Sequence, residues 1–381
     1  MSISRPLSGL VVVEIGHSVA APYAGMILGE LGAEVIKVEN PKGGDPARGW
    51  GPPFTRGAAS AFHAFNRAKS GIAVDLADPA AVEKLRRLIH ARADVLIHNL
   101  KFGTLERYGL GAATLLAEKP GLVYCNIGAF GAVGPLKGRP GYDPLMQAFG
   151  GLMGVTGEEG RPPVRVNTSI MDMGTGMWAA IGIIGALFRR ATTGKGCIVD
   201  ASLFETALGW MTTHAATYQA SGVLPRRAGS GTTGIVPYRG YATADGFLVV
   251  AAANDKLFAL FAGVLGPREW SEDMRFRTNP DRVANQDELY SLIEPIMATA
   301  PTARWVGLLE EVGVPCAPLQ TIDEVLAHPQ TAALGMLQKT PDETLALLGL
   351  PLSFNGRRPA IRRGPPALGA DTGAILGEGK G

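Results

Sequence analysis

Residues 10–39, LVVVEIGHSVAAPYAGMILGELGAEVIKVE, decide the fold class of this chain. Leu10–Ile15 is apolar and rich in β-branched residues, which is typical of a buried strand. A helical pattern follows over Ala21–Leu31, and Glu34–Val38 is strand-like again. A strand, a helix and a second strand in this order predict a βαβ unit.

The same alternation continues along the N-terminal half of the chain. Asp78-Pro79 supplies a helix cap and a first-turn proline, and the helix that follows precedes a strand at Asp94–Ile97. Further strands are predicted at Leu122–Ile127 and Ile198–Asp200, and a long helix at Phe204–Gln219. Short buried strands separated by amphipathic helices predict an α/β fold with a parallel sheet covered on both faces.

The pattern changes after residue 220. Residues 221–240 are rich in glycine, arginine, threonine and proline, a composition typical of a domain junction. Asp245-Gly246 between two strand-like runs predicts a hairpin, and helical patterns follow at Lys256–Leu265, Gln286–Ala298 and Thr302–Val312. We therefore expect a smaller α+β domain from Tyr238 to about Leu319. The proline-rich last stretch is expected to be extended.

Composition excludes several classes of protein. The 381 residues are 46% hydrophobic and 18% charged, as in a globular protein of two domains, and 36 basic against 34 acidic residues leave no basic stripe for nucleic acid. Three cysteines without a C-x-x-C spacing, and an N-terminal segment without a signal-peptide pattern, predict a cytoplasmic protein. The longest apolar run, Met177–Phe188, is too short to cross a bilayer, so we expect a core helix and no membrane partner.

The βαβ opening does not carry a dinucleotide fingerprint. Gly16–Ala21, GHSVAA, has one glycine where G-x-G-x-x-G needs three. Walker, H-E-x-x-H and G-x-S-x-G motifs are absent from the sequence, and no His/Cys cluster has the spacing of a metal site. The sequence therefore predicts neither a metal nor a nucleotide redox cofactor.

One carboxylate stands among small residues just before a long apolar helix. The stretch is SIMDMGTGM, residues 169–177, and the carboxylate is Asp172. One interpretation is an N-cap, because an aspartate oxygen satisfies the free N–H groups of a helix start. The other is a reactive group, because the glycines leave the carboxylate open to a bulky ligand.

Several segments in a fixed order carry a resemblance that covers nearly the whole chain. They are Leu7–Ile15, Gly29–Glu39, Gly44-Asp45, Phe65–Ser70, Asn99, Leu105–Leu110, Gly141–Asp143, Asp172–Met177, Gly194–Gly196 and Gly313–Cys316. In this order they resemble the class III CoA-transferase family, which includes formyl-CoA transferase, carnitine CoA-transferase and the α-methylacyl-CoA racemases.

The resemblance implies a site. Asp172 stands at the position of the family's catalytic nucleophile, although Met171 replaces the glycine that often precedes it. Asn40 stands where an arginine is expected, so we expect Lys42 to supply the charge from a shifted position. The implied contacts with coenzyme A are His17, Val19, Ala20, Lys42, Lys69, Val74, Asp75, Leu76, Ala77, Asn99, Leu100, Lys101, Arg107, Pro140, Gly141, Tyr142 and Asp143.

A glycine-rich segment at residues 229–234 stands where the family has a loop that covers the site. Gly229, Gly231 and Gly234 are the implied lid residues, and their N–H groups are expected to stabilise an oxyanion. A flexible interdomain linker is the alternative.

The resemblance implies that coenzyme A moves from an acyl-CoA donor to a free carboxylic acid, through an aspartyl anhydride and an aspartyl-CoA thioester, without ATP or metal. Racemases of the family place a histidine before the aspartate where this chain has Tyr142-Asp143, and a phenol is a poor proton shuttle at neutral pH. Transfer is therefore favoured over racemisation. A non-catalytic CoA-binding protein is a further alternative, disfavoured by Asp172.

The expected acids are short dicarboxylates, with succinyl-CoA as donor. Arg48, Arg165 and Arg239 are candidates for holding a second carboxylate, and solvated surface charge or contact with CoA phosphates is the alternative for each.

The resemblance also implies an assembly. Each chain is expected to form a ring, and two rings to interlock as a homodimer. The large Rossmann-like CoA-binding domain then comprises residues 1–225 and 325–381, and the small α+β domain with its linkers comprises residues 226–324.

Overall fold

A computed structural model describes residues 3–377. The chain divides into two compact units. The first unit comprises the described residues within Met1–Gly151, Val166–Thr212 and His328–Gly381, and the second comprises Leu152–Arg165 and Thr213–Ala327. Relative to the boundaries expected from the sequence, residues 152–165, 213–225 and 325–327 belong to the second unit.

A six-stranded sheet forms the centre of the first unit. Every neighbouring pair of its strands is parallel, and Val12 in the central strand pairs with Val35 on one side and Val95 on the other. In spatial order the strands are Lys69–Ala73, Glu34–Glu39, Val11–Ile15, Val95–His98, Val123–Gly128 and Ile198–Ser202. The parallel α/β fold predicted from the alternating apolar runs is confirmed.

Helices complete the first unit, and several of them contact the sheet. They are Ala20–Glu30, Ser60–Asn66, Pro79–Arg92, Ala112–Glu118, Asp143–Phe149, Ile170–Thr193, Leu203–Trp210, Pro329–Ala333 and Thr372–Leu376. The cap predicted at Asp78 is present, since its Oδ1 accepts a hydrogen bond from the Ala80 N–H at 2.9 Å. The helix predicted over Phe204–Gln219 is divided, and a second helix, Thr212–Ser221, follows Leu203–Trp210.

The C-terminal tail returns to the edge strand Lys69–Ala73. Asp371 accepts a hydrogen bond from the Gly71 N–H at 2.8 Å, and Thr372 accepts one from the Ala73 N–H at 2.9 Å. The tail contains a hairpin, Leu337–Lys339 with Ala346–Leu348, that the extended prediction did not include. A covered edge strand is protected from pairing with other chains.

The second unit is built on a three-stranded antiparallel sheet, in the order Cys316–Pro318, Phe247–Ala251, Tyr238–Ala242. The hairpin predicted at Asp245-Gly246 joins the last two strands. The helices of this unit are Leu152–Val155, Thr212–Ser221 at its boundary, Asp255–Leu265, Asn279–Ala284, Gln286–Met297, Thr302–Glu311 and Ile322–Ala327. Phe258, Phe261 and Ile293 are in its buried core, which confirms an α+β arrangement.

The helix Ile170–Thr193, which we call the Asp172 helix, has two different faces. Its buried face packs against the helix Ala20–Glu30, and at Gly176 an added Cβ would lie 2.7 Å from the Ala20 carbonyl oxygen. On the other face Trp178 is 48% exposed and Phe188 is 79% exposed. By length and composition the helix could cross a membrane, but core helices of soluble proteins pass the same test.

Candidate active site

The carboxyl ends of the parallel strands Val11–Ile15, Val95–His98 and Val123–Gly128 meet at one edge of the sheet. This edge is where open α/β sheets bind ligands. Two cavities open there, and His17 and Leu100 line both of them. We name them the Asp75 cavity, of about 340 Å³, and the Asp172 cavity, of about 290 Å³.

Most of the residues implied by the resemblance line these two cavities. The Asp172 cavity contains His17, Ala20, Asn99, Leu100, Lys101, Pro140, Gly141, Tyr142 and Asp172. The Asp75 cavity contains His17, Val74, Asp75, Leu76, Ala77 and Leu100, together with Glu39, Asn40, Thr104 and Tyr108 among others. The fold therefore brings together implied residues from five separate stretches of sequence.

Five implied contacts lie elsewhere. Val19 and Lys69 are buried and line neither cavity, so the structure gives no support for direct contact with coenzyme A. Lys42 is exposed beside the Asp75 cavity without lining it, and Arg107 lines a shallow depression with Leu76 and Ala77. Asp143 is 3% exposed, and its carboxylate accepts hydrogen bonds from groups inside the protein.

The loop between the first strand and the first helix is held from both sides. Asn99 accepts a hydrogen bond from the His17 N–H at 3.0 Å and donates one to the His17 carbonyl at 2.8 Å. Ser18, with a left-handed φ of 67°, donates its N–H to Asp45 at 2.9 Å. Asn99 therefore positions the loop as well as lining the Asp172 cavity.

A buried network of charges lies beneath this loop. Lys37 contacts Glu14 at 3.1 Å and Asp45 at 2.9 Å, and Lys69 contacts Glu14 at 2.7 Å; none of these side chains is exposed. Burial lowers the pKa of Lys69 to about 8, while Glu14 opposes that shift. Burial also opposes the charge of Lys37, but Glu14 and Asp45 together raise its pKa.

Sequence reasoning missed this network. Its signal was present in the charged residues Glu14 and Lys37, each of which stands between apolar residues within a strand. Lys69 serves here as a structural cation: its ammonium donates to the Pro22 carbonyl at 2.8 Å and to Asn66 at 2.9 Å.

Asp143 caps the Asp172 helix. Its Oδ2 accepts hydrogen bonds from the N–H groups of Met171, at 2.7 Å, and Asp172, at 3.3 Å. Its Oδ1 accepts one from Gln147 at 2.6 Å. The N-cap interpretation of Asp172 is therefore wrong. Asp172 lies inside the first turn, and the capping oxygen comes from a residue 29 positions earlier.

The Asp172 carboxylate is left free for chemistry. It accepts no hydrogen bond from residues 3–377 and faces the Asp172 cavity. Burial, and then the negative charge of Asp143, raise its pKa to about 7. The positive end of the helix dipole favours the ionised form. Asp172 is thus divided between its acid and carboxylate forms near neutral pH.

The small residues around Asp172 serve packing. Gly176 allows the close approach of two helices, and at Gly174 an added Cβ would lie 2.9 Å from Thr206 and Trp210. Met171 is fully buried, so the side chain that replaces a glycine points into the core. The expectation that these glycines open the carboxylate to ligand is not supported at Gly174 or Gly176.

The implied lid glycines lie in the second unit. Gly229 donates its N–H to the Gly157 carbonyl at 2.9 Å, and Gly234 accepts a hydrogen bond from Asn279 at 3.0 Å. Gly231 lines a small cavity of about 190 Å³ with Arg239. The lid and its role in catalysis stay predictions.

The three arginines proposed for a second carboxylate lie in different surroundings. Arg48 donates to both oxygens of Glu39, at 2.8 and 2.7 Å, and is thereby occupied. Arg239 lies over the Tyr290 ring at 4.6 Å and within 3.5 Å of Glu294. Arg165 belongs to the second unit.

No group of three or more metal-ligating side chains is present within the described part of the chain. A cavity at the strand ends that contains an unpaired carboxylate and two cations, Lys101 and Arg139, suits an anionic ligand next to a nucleophile.

The profile of CoA-transferase family III matches residues 7–372. The chain belongs to this family. This CoA-transferase is 35% identical to the succinyl-CoA:glutarate CoA-transferase of Mus musculus, over 98% of this chain and 86% of that protein. It is also 35% identical to the succinate–glutarate CoA-transferase of Agrobacterium fabrum, over 98% and 95% of the two chains.

A solved CAIB/BAIF family protein from Brucella suis has the same fold. It is 39% identical and superposes with a TM-score of 0.89, covering 98% of this CoA-transferase and 99% of that chain. The resemblance found in the ordered sequence motifs is confirmed, and so is a transferase that acts on CoA thioesters.

Proposed function

We propose that this CoA-transferase moves coenzyme A from succinyl-CoA to a short dicarboxylate such as glutarate. Support comes from the two relatives named for succinyl and glutarate substrates, which match nearly the whole chain. Cations in the cavity that contains Asp172 fit acids with a second negative charge.

The proposed reaction uses Asp172 as nucleophile in four balanced steps. Its carboxylate attacks the thioester carbonyl of succinyl-CoA, which gives a mixed anhydride and CoA thiolate. The thiolate attacks the aspartyl carbonyl, so that succinate leaves and an aspartyl-CoA thioester forms. The acceptor carboxylate attacks that thioester, which gives a second mixed anhydride and releases the thiolate. The thiolate finally attacks the acceptor's carbonyl in this anhydride, so that the acceptor's CoA thioester forms and free Asp172 is restored.

The observation that carries this proposal is the division of tasks between two aspartates. Asp143 supplies the cap with hydrogen bonds at 2.7 and 3.3 Å, so the Asp172 carboxylate has no structural role to abandon when it is acylated. A raised pKa also makes a carboxylate a better nucleophile once it is ionised, because basicity and nucleophilicity rise together.

The same arrangement disfavours racemisation. A racemase needs a second acid/base beside the α-carbon of the substrate. Here Asp143 is buried with both oxygens hydrogen-bonded, and the neighbouring Tyr142, which is 62% exposed, carries a phenol. Neither residue offers a free carboxylate or an imidazole for this role.

We place the adenosine part of coenzyme A in the Asp75 cavity and the thioester in the Asp172 cavity, because His17 and Leu100 line both. Glu39, Asp45 and Asp75 line the Asp75 cavity, so the phosphates are expected to lie outside it. We assign the lid to the loop with Gly229, Gly231 and Gly234, which would exclude water from the anhydride. The N–H groups of Gly229 and Gly231 donate to the Gly157 and Ala228 carbonyls, so the expected contacts with an oxyanion are not supported for these two glycines.

Intact-protein mass spectrometry tests the function. Incubation with succinyl-CoA should add a mass matching CoA minus water, and hydroxylamine should release it and convert Asp172 to a hydroxamate. Asp172→Asn should show no adduct while keeping the fold. An adduct on the variant would contradict the role of Asp172, and exchange of a substrate α-proton without any adduct would favour racemisation.

We further propose that the enzyme is an interlocked dimer of ring-shaped chains and acts in the cytoplasm. The exposed apolar face of the Asp172 helix, with Trp178 at 48% and Ile181 at 56% exposure, supports a protein interface, because apolar patches of this kind are rare on monomers.

A further inference from the structure

The Asp172 cavity contains a cation that has not yet been given an individual role. Its ionisable lining comprises His17, Tyr142, Asp172, Lys101 and Arg139, so Asp172 is its only acidic residue. Arg139 is exposed and forms no ion pair with any carboxylate in the described chain. Lys101 already stands as an implied contact with coenzyme A, which leaves Arg139 without an assigned role.

The backbone keeps Arg139 close to the nucleophile. Arg139 precedes Asp143 by four residues, and Asp143 accepts a hydrogen bond from the Asp172 N–H. Four residues span at most about 14 Å when fully extended. Pro140, Gly141 and Tyr142, which separate the two, all line the same cavity as Asp172, so this short segment follows the cavity wall.

The surroundings of Arg139 leave its guanidinium available to bind an anion. Its guanidinium lies 5.8 Å from the centre of the Phe130 ring, which supports the planar cation without neutralising it. A guanidinium presents paired N–H groups that match the two oxygens of a carboxylate, whereas an ammonium is a single point of charge.

We propose that Arg139 binds the second carboxylate of the donor and acceptor acids and thereby selects dicarboxylates. The inference rests on the proposed function, because it names the residue that binds one carboxylate of the acid while Asp172 reacts at the other. A monocarboxylate lacks this interaction. Charged hydrogen bonds of this kind correspond to a loss of about 10- to 100-fold in kcat/KM.

Arg139→Gln tests the proposal, with Lys137→Gln as the matched control. Lys137 lies in the same segment and near an aromatic ring, 5.5 Å from the centre of Phe102. Both residues line a neighbouring depression, but Arg139 also lines the Asp172 cavity and Lys137 does not. Both side chains are exposed, so neither substitution should change the thermal unfolding temperature.

The expected result is selective. With succinyl-CoA held at saturation, Arg139→Gln should lower kcat/KM for glutarate about 10- to 100-fold and leave that for the monoamide of glutarate within about twofold. In the first half-reaction, adduct formation from succinyl-CoA should slow while that from butyryl-CoA does not. Lys137→Gln should change none of these ratios.

Two results would overturn the proposal. An equal loss with glutarate and its monoamide, or with succinyl-CoA and butyryl-CoA, would make Arg139 a contact of the CoA phosphates. Full activity of Arg139→Gln with glutarate would leave it without a role in recognition.

A binding measurement separates this inference from the proposed function. Calorimetric titration of glutarate into Asp172→Asn loaded with CoA requires no turnover, and binding should be lost when Arg139→Gln is added. If wild-type protein forms no adduct with succinyl-CoA, the proposed function fails. If glutarate still binds to Asp172→Asn and this binding requires Arg139, the proposed role of Arg139 holds independently of the proposed function. If glutarate binds equally well without Arg139, the proposed role of Arg139 is wrong.

Discussion

At the scale of single residues, the site depends on two aspartates with different tasks. Asp143 holds the first turn of a helix, and Asp172 keeps a carboxylate that accepts no hydrogen bond from the described residues. Their proximity has an electrostatic consequence. Burial and the charge of Asp143 raise the pKa of Asp172 to about 7. The fraction of ionised, nucleophilic Asp172 therefore changes with pH in the physiological range.

The pH dependence of catalysis follows from this shift. Because only the ionised Asp172 attacks a thioester, kcat/KM for succinyl-CoA should rise with pH and level off above a midpoint of about 7. Asp143→Asn keeps an oxygen for the helix N–H groups and removes the charge, so its midpoint should move to lower pH. A flat wild-type profile between about pH 5.5 and 8 would contradict the assignment.

The same shift predicts a gain of stability in Asp172→Asn. The pKa of Asp172 in the folded protein lies above its value in an unfolded chain. The free energy of unfolding of the wild-type protein should therefore fall as pH rises from about 4 to about 7, and Asp172 should cause no further loss above that pH. The unfolding temperature of the variant should therefore exceed that of wild type by an amount that grows across this range. Differential scanning fluorimetry at a series of pH values checks this, and a difference between variant and wild type that does not change with pH would contradict it.

At the scale of elements, the start of the Asp172 helix depends on a side chain from another helix. Asp143→Ala removes an acceptor for two N–H groups and should cost about 1 kcal/mol in the free energy of unfolding. Urea denaturation measures this cost. Asp143→Asn should lose less than half as much, and equal losses in both variants would assign the effect to charge instead of capping.

The loop with His17 and Ser18 depends on the charge network beneath it. Lys37→Met would leave Glu14 and Asp45 buried without their shared cation, and it should cost roughly 3–5 kcal/mol in the free energy of unfolding. The exposed Lys42→Met, in the segment after the same strand, should change stability by less than about 0.5 kcal/mol. Similar stability of the two variants would show that the network contributes little.

At the scale of the whole molecule, the apolar face of the Asp172 helix predicts association. Ile181 is 56% and Phe188 79% exposed in the single chain, and water contact with such a face is unfavourable. Sedimentation should therefore give a dimer that persists on dilution, because interlocked chains do not separate without unfolding.

Substitution of this face provides the control. Ile181→Asp should abolish the dimer or the soluble protein, while Val133→Glu, at an exposed apolar residue in a loop of the same unit, should leave the dimer intact. A wild-type monomer in sedimentation would overturn the prediction. Flotation of the wild-type protein with lipid vesicles would instead assign the apolar helix to a membrane surface.

Much of the architecture followed from local sequence. The strands at Val11–Ile15 and Glu34–Glu39 lie within one residue of their predicted ends, because apolar runs, caps and turns act over a few neighbouring positions. The ordered motifs identified the family and named Asp172, His17 and Tyr142 as site residues, and the structure places all three at one cavity.

The tertiary structure decided what each polar side chain does. Sequence alone could not show that Asp143 caps a helix that begins 27 residues later. Nor could it show that Lys69 forms a salt bridge with Glu14, or Arg48 with Glu39. Propensity and periodicity describe interactions between near neighbours. The partners of a buried charge are set by how distant elements pack, since a charge removed from water is stable only beside the opposite charge or donor that the fold brings to it.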